Sequence, residues 1–202
     1  MRKLKFISLM VCCLAAMSFT FSSCSDDDDN NSALSPQDYQ TAFNAARGEY
    51  SGKVYFPVPD KKTNKYVTDS AEVSWSILRD SAMTIHNFPI AALGANVTDS
   101  AAREAIMAQA PQDIKCSINF MHVSPVNFII APTTVELHLN YNKENHRIQI
   151  PFYVSYYSYG QMSSSKDMFM QIIEGAIYQD GSLKRTWLSQ GIPFQFVSKS
   201  KI

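Results

Sequence analysis

From residue 48 onward, apolar side chains recur at every second position. Tyr50, Gly52, Val54 and Phe56 share one face, and Glu49, Ser51 and Lys53 take the other. Ala71, Val73, Trp75 and Ile77 alternate with Glu72, Ser74 and Ser76. Ile114, Cys116, Ile118 and Phe120 alternate with Lys115, Ser117 and Asn119. Val135, Leu137, Leu139 and Tyr141 alternate with Glu136, His138 and Asn140. A further face carries Ile148, Ile150, Phe152, Val154 and Tyr156. Period-two alternation with one wet side predicts half-buried strands of an antiparallel sheet. Turns are expected at Asp80-Ser81, at Asn142–Asn145 and at Gln179-Asp180-Gly181. The last of these joins Met168–Tyr178 to Ser182–Leu188, and a final strand is expected over Phe194–Val197.

Two segments break this period. Over residues 34–48, Ser35 is placed to cap a helix, Pro36 to open it, and Asp38 to face its positive end. Tyr39, Ala42, Phe43 and Ala46 form one apolar stripe, Leu34 and Tyr39 are spaced as a hydrophobic staple, and Gly48 closes the helix. A second helix is expected over Asp99–Ala110, ending before Pro111. These elements predict a mainly β domain over residues 34–202. It would be an antiparallel β-barrel or β-sandwich of about eight to ten strands, with an N-terminal helix and one inserted helix.

The first residues follow another logic. Arg2, Lys3 and Lys5 precede an uncharged apolar stretch, Phe6–Phe21, which ends in small residues. That order is a secretory signal peptide, residues 1–23, and is short for a membrane span. Phe21-Ser22-Ser23-Cys24 resembles a bacterial lipobox, which implies lipidation of Cys24 and a membrane anchor there. Ser25, Asp26, Asp27, Asp28 and Asp29 begin an acidic flexible tether over residues 24–33. This run resembles the export signal of Bacteroidota surface lipoproteins, which implies an outer-membrane, cell-surface location. The chain is also similar in general pattern to surface lipoproteins of about 200 residues from gut Bacteroidota, a domain of unknown function that supplies no site to carry over. Gly48-Glu49-Tyr50 resembles the Gly-x-Trp opening of lipocalin-like barrels.

Charge now becomes informative. The whole chain is neutral, with 18 basic and 18 acidic residues. From residue 34 onward it holds 15 basic and 14 acidic residues, so the domain is nearly neutral while the tether is acidic. A neutral domain argues against nucleic acid as a partner. Cys12 and Cys13 leave with the signal and Cys24 takes lipid, so only Cys116 remains and no disulfide is expected.

Catalytic motifs are missing from the sequence. No glycine-rich phosphate loop, GxSxG elbow or SxxK is present. The histidines His86, His122, His138 and His146 are not spaced as metal ligands, and no metal or cofactor is expected. His86, His138 and His146 read as exposed strand or turn residues. His122 shares a strand face with Cys116, but six residues of strand place them about 20 Å apart. Cys116 therefore reads as a small buried hydrophobe.

Two features remain. Arg147–Tyr159 presents Arg147, Tyr153, Tyr157 and Tyr159 on its wetter face, and Pro151 marks that strand as an edge or a bulge. Tyrosines there suit a glycan or a protein partner. Asp69-Ser70-Ala71, Asp80-Ser81-Ala82 and Asp99-Ser100-Ala101 resemble the O-glycosylation motif described in Bacteroidota, which implies Ser70, Ser81 and Ser100 as acceptors. Each tripeptide also suits a turn or cap. Asn96-Val97-Thr98 matches the N-glycan sequon. The expected function is a non-catalytic surface lipoprotein that binds a glycan, a protein partner or a small apolar ligand. A lipocalin-like carrier, a hydrolase whose site assembles only in three dimensions, and a structural subunit of an envelope complex stay open.

Overall fold

The structure is a computed structural model that describes residues 34–201 apart from 61, 64 and 164, with side chains described through Ser198. The signal segment, Cys24 and the tether lie outside the described residues. In chain order the elements are α1 (Pro36–Ala46), β1 (Gly48–Pro59), β2 (Tyr66–Arg79), β3 (Ala82–Phe88), α2 (Ala91–Gly94), α3 (Ser100–Met107), β4 (Gln112–Val123) and β5 (Val126–Pro132). There follow β6 (Val135–Tyr141), β7 (Glu144–Ile150), β8 (Phe152–Tyr153), a 3-10 turn (Ser155–Tyr157), β9 (Tyr159–Met162), β10 (Met168–Glu174), β11 (Tyr178–Gln179), β12 (Ser182–Leu183) and β13 (Ile192–Lys201).

Eight of these strands close an antiparallel barrel. The spatial order β1-β2-β3-β4-β5-β9-β10-β13 is also the chain order, and β13 pairs back onto β1. The barrel is therefore an up-and-down meander, which leaves it no free edge where the ladder closes. Two insertions, β6–β8 and β11–β12, leave the meander. Four of their strands pair as a second sheet in the order β12-β11-β7-β6.

The two ends of the barrel differ. At one end the chain turns tightly at Asp80-Ser81, at Ser124-Pro125 and after Met162. Helix α1 packs there, its cap built as expected: Asp38 N donates to Ser35 Oγ at 3.1 Å. Ala42, Phe43 and Ala46 are buried, and Tyr39 donates its hydroxyl to Asp80 O at 3.0 Å while meeting the Phe120 ring edge-on at 5.3 Å. All the long excursions leave from the opposite end. Asn96, between α2 and α3, donates from Nδ2 to Pro57 O at 2.8 Å and so ties that layer to the end of β1. One continuous buried cluster runs from the barrel interior into this layer, through Ile90, Leu93, Ile106, Leu137, Ile148 and Ile177.

The interior is filled by the chain's own side chains, as an eight-stranded barrel can be. Trp75 stacks on Tyr50 with centroids 5.8 Å apart and meets Phe196 at 6.1 Å. Phe88 packs on Phe194 at 5.2 Å and Phe120 on Phe128 at 5.4 Å. Tyr50, Trp75, Phe88, Phe128, Phe194 and Phe196 have 0% exposure.

Several expectations are corrected. The strand through Arg147–Tyr159 breaks at Pro151, which lacks a ladder donor. Ile148, Ile150 and Phe152 are buried as expected, but Val154 and Tyr156 are exposed at 50% and 81%, because Ser155 takes φ 68° and turns the chain into the 3-10 turn. Asn142 and Lys143 alone form the β6–β7 turn, both at positive φ, as a two-residue hairpin loop requires. Met168–Tyr178 divides into β10 and β11, and within the run Ser182–Leu188 only Ser182–Leu183 is strand. The second helix is shorter than expected, with Asp99 accepting from Ala102 N at 2.9 Å as its cap. The closing strand is longer and runs over Ile192–Lys201. His122 and Cys116 do not share a face, because a bulge between Phe120 and His122 leaves Cys116 buried and His122 exposed.

Candidate functional site

The segment after Pro151 contains no charged residue until Lys166. Tyr153 is 47%, Tyr156 81% and Tyr157 63% exposed, and the Tyr153 and Tyr157 rings lie 5.8 Å apart, tilted by 47°. Exposed aromatics on a loop form a platform only if the loop is held. Ser158 does this holding. It is fully buried, its hydroxyl donates to Tyr153 O and accepts from Ile173 N at 3.3 Å, and its carbonyl accepts from Ile130 N at 2.8 Å. Gln171 adds a bond from Nε2 to Tyr157 O at 3.2 Å. The loop is thus tied to β5 and β10. The Tyr153 ring rests over Gly175 and Gly191, where a Cβ would come within 3.4 and 3.0 Å of it. Loop and bed form a preorganised, uncharged aromatic surface.

The structure separates the other expected members of this surface. Tyr159 is half-buried against Phe169 at 6.1 Å, since it begins β9 and points along the barrel wall. Arg147 lies on β7 and spends its guanidinium on Glu136 at 2.6 Å. That cation holds the Glu136 carboxyl below the usual carboxylate range. Tyr156 joins the exposed set, although its parity placed it in the core. The two adjacent tyrosines flanked by serines were the available signal, because no strand ladder exposes neighbouring side chains on one side.

Ser70, Ser81 and Ser100 are all exposed, on β2, in the β2–β3 turn and at the start of α3. The Asn96 amide nitrogen is occupied by Pro57 O. His146 is not an exposed turn residue: its side chain is 10% exposed, with Nδ1 2.8 Å from Asp180 Oδ2 and the ring 4.4 Å from Tyr141. Burial pushes the Cys116 thiol up to about 12, which removes it as a nucleophile at neutral pH. Among the described residues, no group of three or more His, Cys, Asp or Glu side chains is arranged to hold a metal.

A second constellation was invisible in the sequence. Ser76 Oγ lies 2.9 Å from His86 Nε2, and His86 Nδ1 lies 2.9 Å from Asp113 Oδ2. Asn87 N also donates to Asp113 Oδ1 at 3.0 Å. These three side chains stand on β2, β3 and β4 and are joined across a bulge between Ile85 and Phe88, where Asn87 takes φ 53°. The order of bonds is that of a serine nucleophile, its base and an orienting acid. The order of burial is reversed. Ser76 is 8% exposed, while the His86 and Asp113 side chains are 36% and 54% exposed. A nucleophile must meet substrate, and backbone donors must be free to stabilise an oxyanion. Ser76 sits instead between β1 and β3, in ladder with both. A fluorophosphonate probe is expected to leave the chain unlabelled. An adduct on Ser76 that disappears in Ser76→Ala would show that the serine is reachable and activated.

No curated protein and no solved structure matches this chain. Residues 45–179, more than half of the sequence and spanning β1 through β11, match the model of one family. On that match the protein belongs to the family described as Domain of unknown function (DUF4840).

Proposed function

We propose that this protein is a non-catalytic, lipid-anchored surface lipoprotein whose tyrosine loop binds a neutral glycan. One observation carries the reading: Tyr153, Tyr156 and Tyr157 are exposed together on a pinned loop without charges. Aromatic rings offer flat apolar area to the C–H faces of a sugar, and their hydroxyl tips serve its oxygens. The lack of charge favours a neutral ligand over an ionic one. Buried rings fill the barrel, which speaks against a carrier with an internal cavity. The lipobox at Cys24 and the run Ser25–Asp29, which resemble those of Bacteroidota surface lipoproteins, support anchoring at the outer face of the outer membrane.

Whole cells test both parts. Cells carrying the full chain are expected to bind at least one of a panel of fluorescein-labelled neutral polysaccharides. Cys24→Ala should remove the protein from the cell surface, as read by an antibody on unlysed cells. The double variant Tyr156→Ala, Tyr157→Ala should stay on the surface and lose about tenfold or more in binding, since two stacked rings supply about 0.5–1.5 kcal/mol each beyond their area. Undiminished binding by that variant, or binding of no polysaccharide, contradicts the glycan reading.

A further inference from the structure

Glu174 is the last residue of β10 and shares its inward face with Met168, Met170 and Ile172. Its exposure is 0%, and neither carboxyl oxygen has a hydrogen-bond partner. Its ladder neighbours are Ile192 on β13 and Phe152 on β8. The two passages between the barrel and the second sheet flank it. Pro151 leads from β7 to β8, and Gly175–Ile177 leads from β10 to β11. They are tied to each other by Gly175 N donating to Pro151 O at 2.9 Å. The carboxyl therefore sits at the joint between the two sheets.

A charge cannot rest there unpaired. Burial raises the pKa of Glu174 well above the ordinary carboxylate range, and no charged group among the described residues offsets this. β13 and β8 present only Ile192, Phe194 and Phe152. Charged side chains of the second layer are engaged elsewhere: Arg147 with Glu136, His146 with Asp180, Arg103 with Val97 O, and Lys184 over the Trp187 ring. Asn96 Oδ1 and the Tyr141 hydroxyl are the other buried polar side-chain atoms without a hydrogen-bond partner among the described residues, so neither is bonded to the carboxyl. Loss of the proton thus demands water, which can reach the carboxyl if the second sheet parts from the barrel end. The barrel itself is closed by continuous ladders, so opening the joint disrupts fewer contacts than unfolding it.

We propose that Glu174 is a proton-held latch, closing the joint between the barrel and its second sheet when protonated and releasing that sheet when it ionises. In the closed state the carboxyl keeps its proton, and in the open state it meets water and titrates near its ordinary value of 4.5. Opening then releases one proton. Its equilibrium constant rises about tenfold per pH unit above that value, until the closed state itself ionises.

Hydrogen exchange measured between pH 5.5 and 8.5, corrected for the intrinsic rate, tests this on the folded domain. Amides of β6, β7 and β11 should lose protection about tenfold per pH unit, while those of β2, β3 and β4 keep theirs. Glu174→Gln, and Glu174→Met as a second neutral replacement, should abolish the slope. A flat profile in the unsubstituted protein overturns the latch. So does an unchanged slope in the variants, or loss of protection in barrel and second sheet together.

Discussion

Gly52→Val is expected to be among the most damaging substitutions in this protein, costing about 3 kcal/mol or more. Gly52 lies on β1 where the ladder to β13 shifts between Ser51 and Gly52. A Cβ at this position would collide with the carbonyl oxygen of Val197 and lie 2.9 Å from the Ser198 Cα. These are backbone atoms of the strand that closes the barrel, so a rotamer change cannot relieve the contact. The seam must widen, and β13 loses its bonds to β1 at the point of closure. Gly181→Ala provides the contrast. Gly181 takes φ +80° with nothing within 4 Å of a new Cβ, so alanine costs only the strain of that conformation, about 1 kcal/mol. Denaturant midpoints of the two variants compare space with φ. Equal midpoints would refute the seam argument.

Trp75→Ala is expected to cost about 3–5 kcal/mol and to lower the melting temperature by roughly 10 °C. Trp75 is fully buried at the centre of the barrel, lies parallel to Tyr50 at 5.8 Å, and donates Nε1–H to the Met168 sulfur at 3.2 Å. These neighbours stand on β1, β10 and β13, so they cannot all move inward to fill the hole. Trp75→Phe keeps most of the ring contact and should lose less than half as much. Thermal unfolding followed by near-UV circular dichroism reads both effects. A Trp75→Ala variant within about 1 kcal/mol of the parent would mean that the interior repacks freely.

The strands show why most of the barrel was legible. Val73, Trp75 and Ile77 are buried in step because that side of β2 meets the core, while Glu72 and Ser74 opposite are more exposed and only Ser76, bonded to His86, departs from the alternation. The helix at Ser35 was equally clear, since capping is a local bond between residues three apart. Where the chain leaves the ladder, alternation misleads. Val154 and Tyr156 continue the parity of Phe152, yet Ser158 pulls the chain into a turn through bonds to β5 and β10. Those partners are residues 130 and 173, far away in sequence. β5 escaped notice because Phe128-Ile129-Ile130 reads as an unbroken apolar run. Its outward Ile129 is half-buried beside Tyr159 on β9.

The candidate sites were less legible. Tyr153 and Tyr157 were identified from composition and spacing. Ser76, His86 and Asp113 were not, because their contact depends on the register of three strands and on a bulge around Asn87. Glu174 carried a readable warning, since it falls in phase with Met168, Met170 and Ile172. Its lack of a partner could be known only once every neighbouring element was in place.

Sequence alone determined a mainly β domain of neutral charge, its first helix, most strand faces and the tight Asp180-Gly181 turn. These depend on period, capping and backbone preference, which act within a few residues. Tertiary structure decided that the sheet closes as a meander, that the interior is full, that three tyrosines stand out on a pinned loop, and that one carboxyl is sealed at a joint. Each of these depends on which distant strands become neighbours. A hydrogen bond, a collision with Val197 or a burial cost exists only after that choice is made.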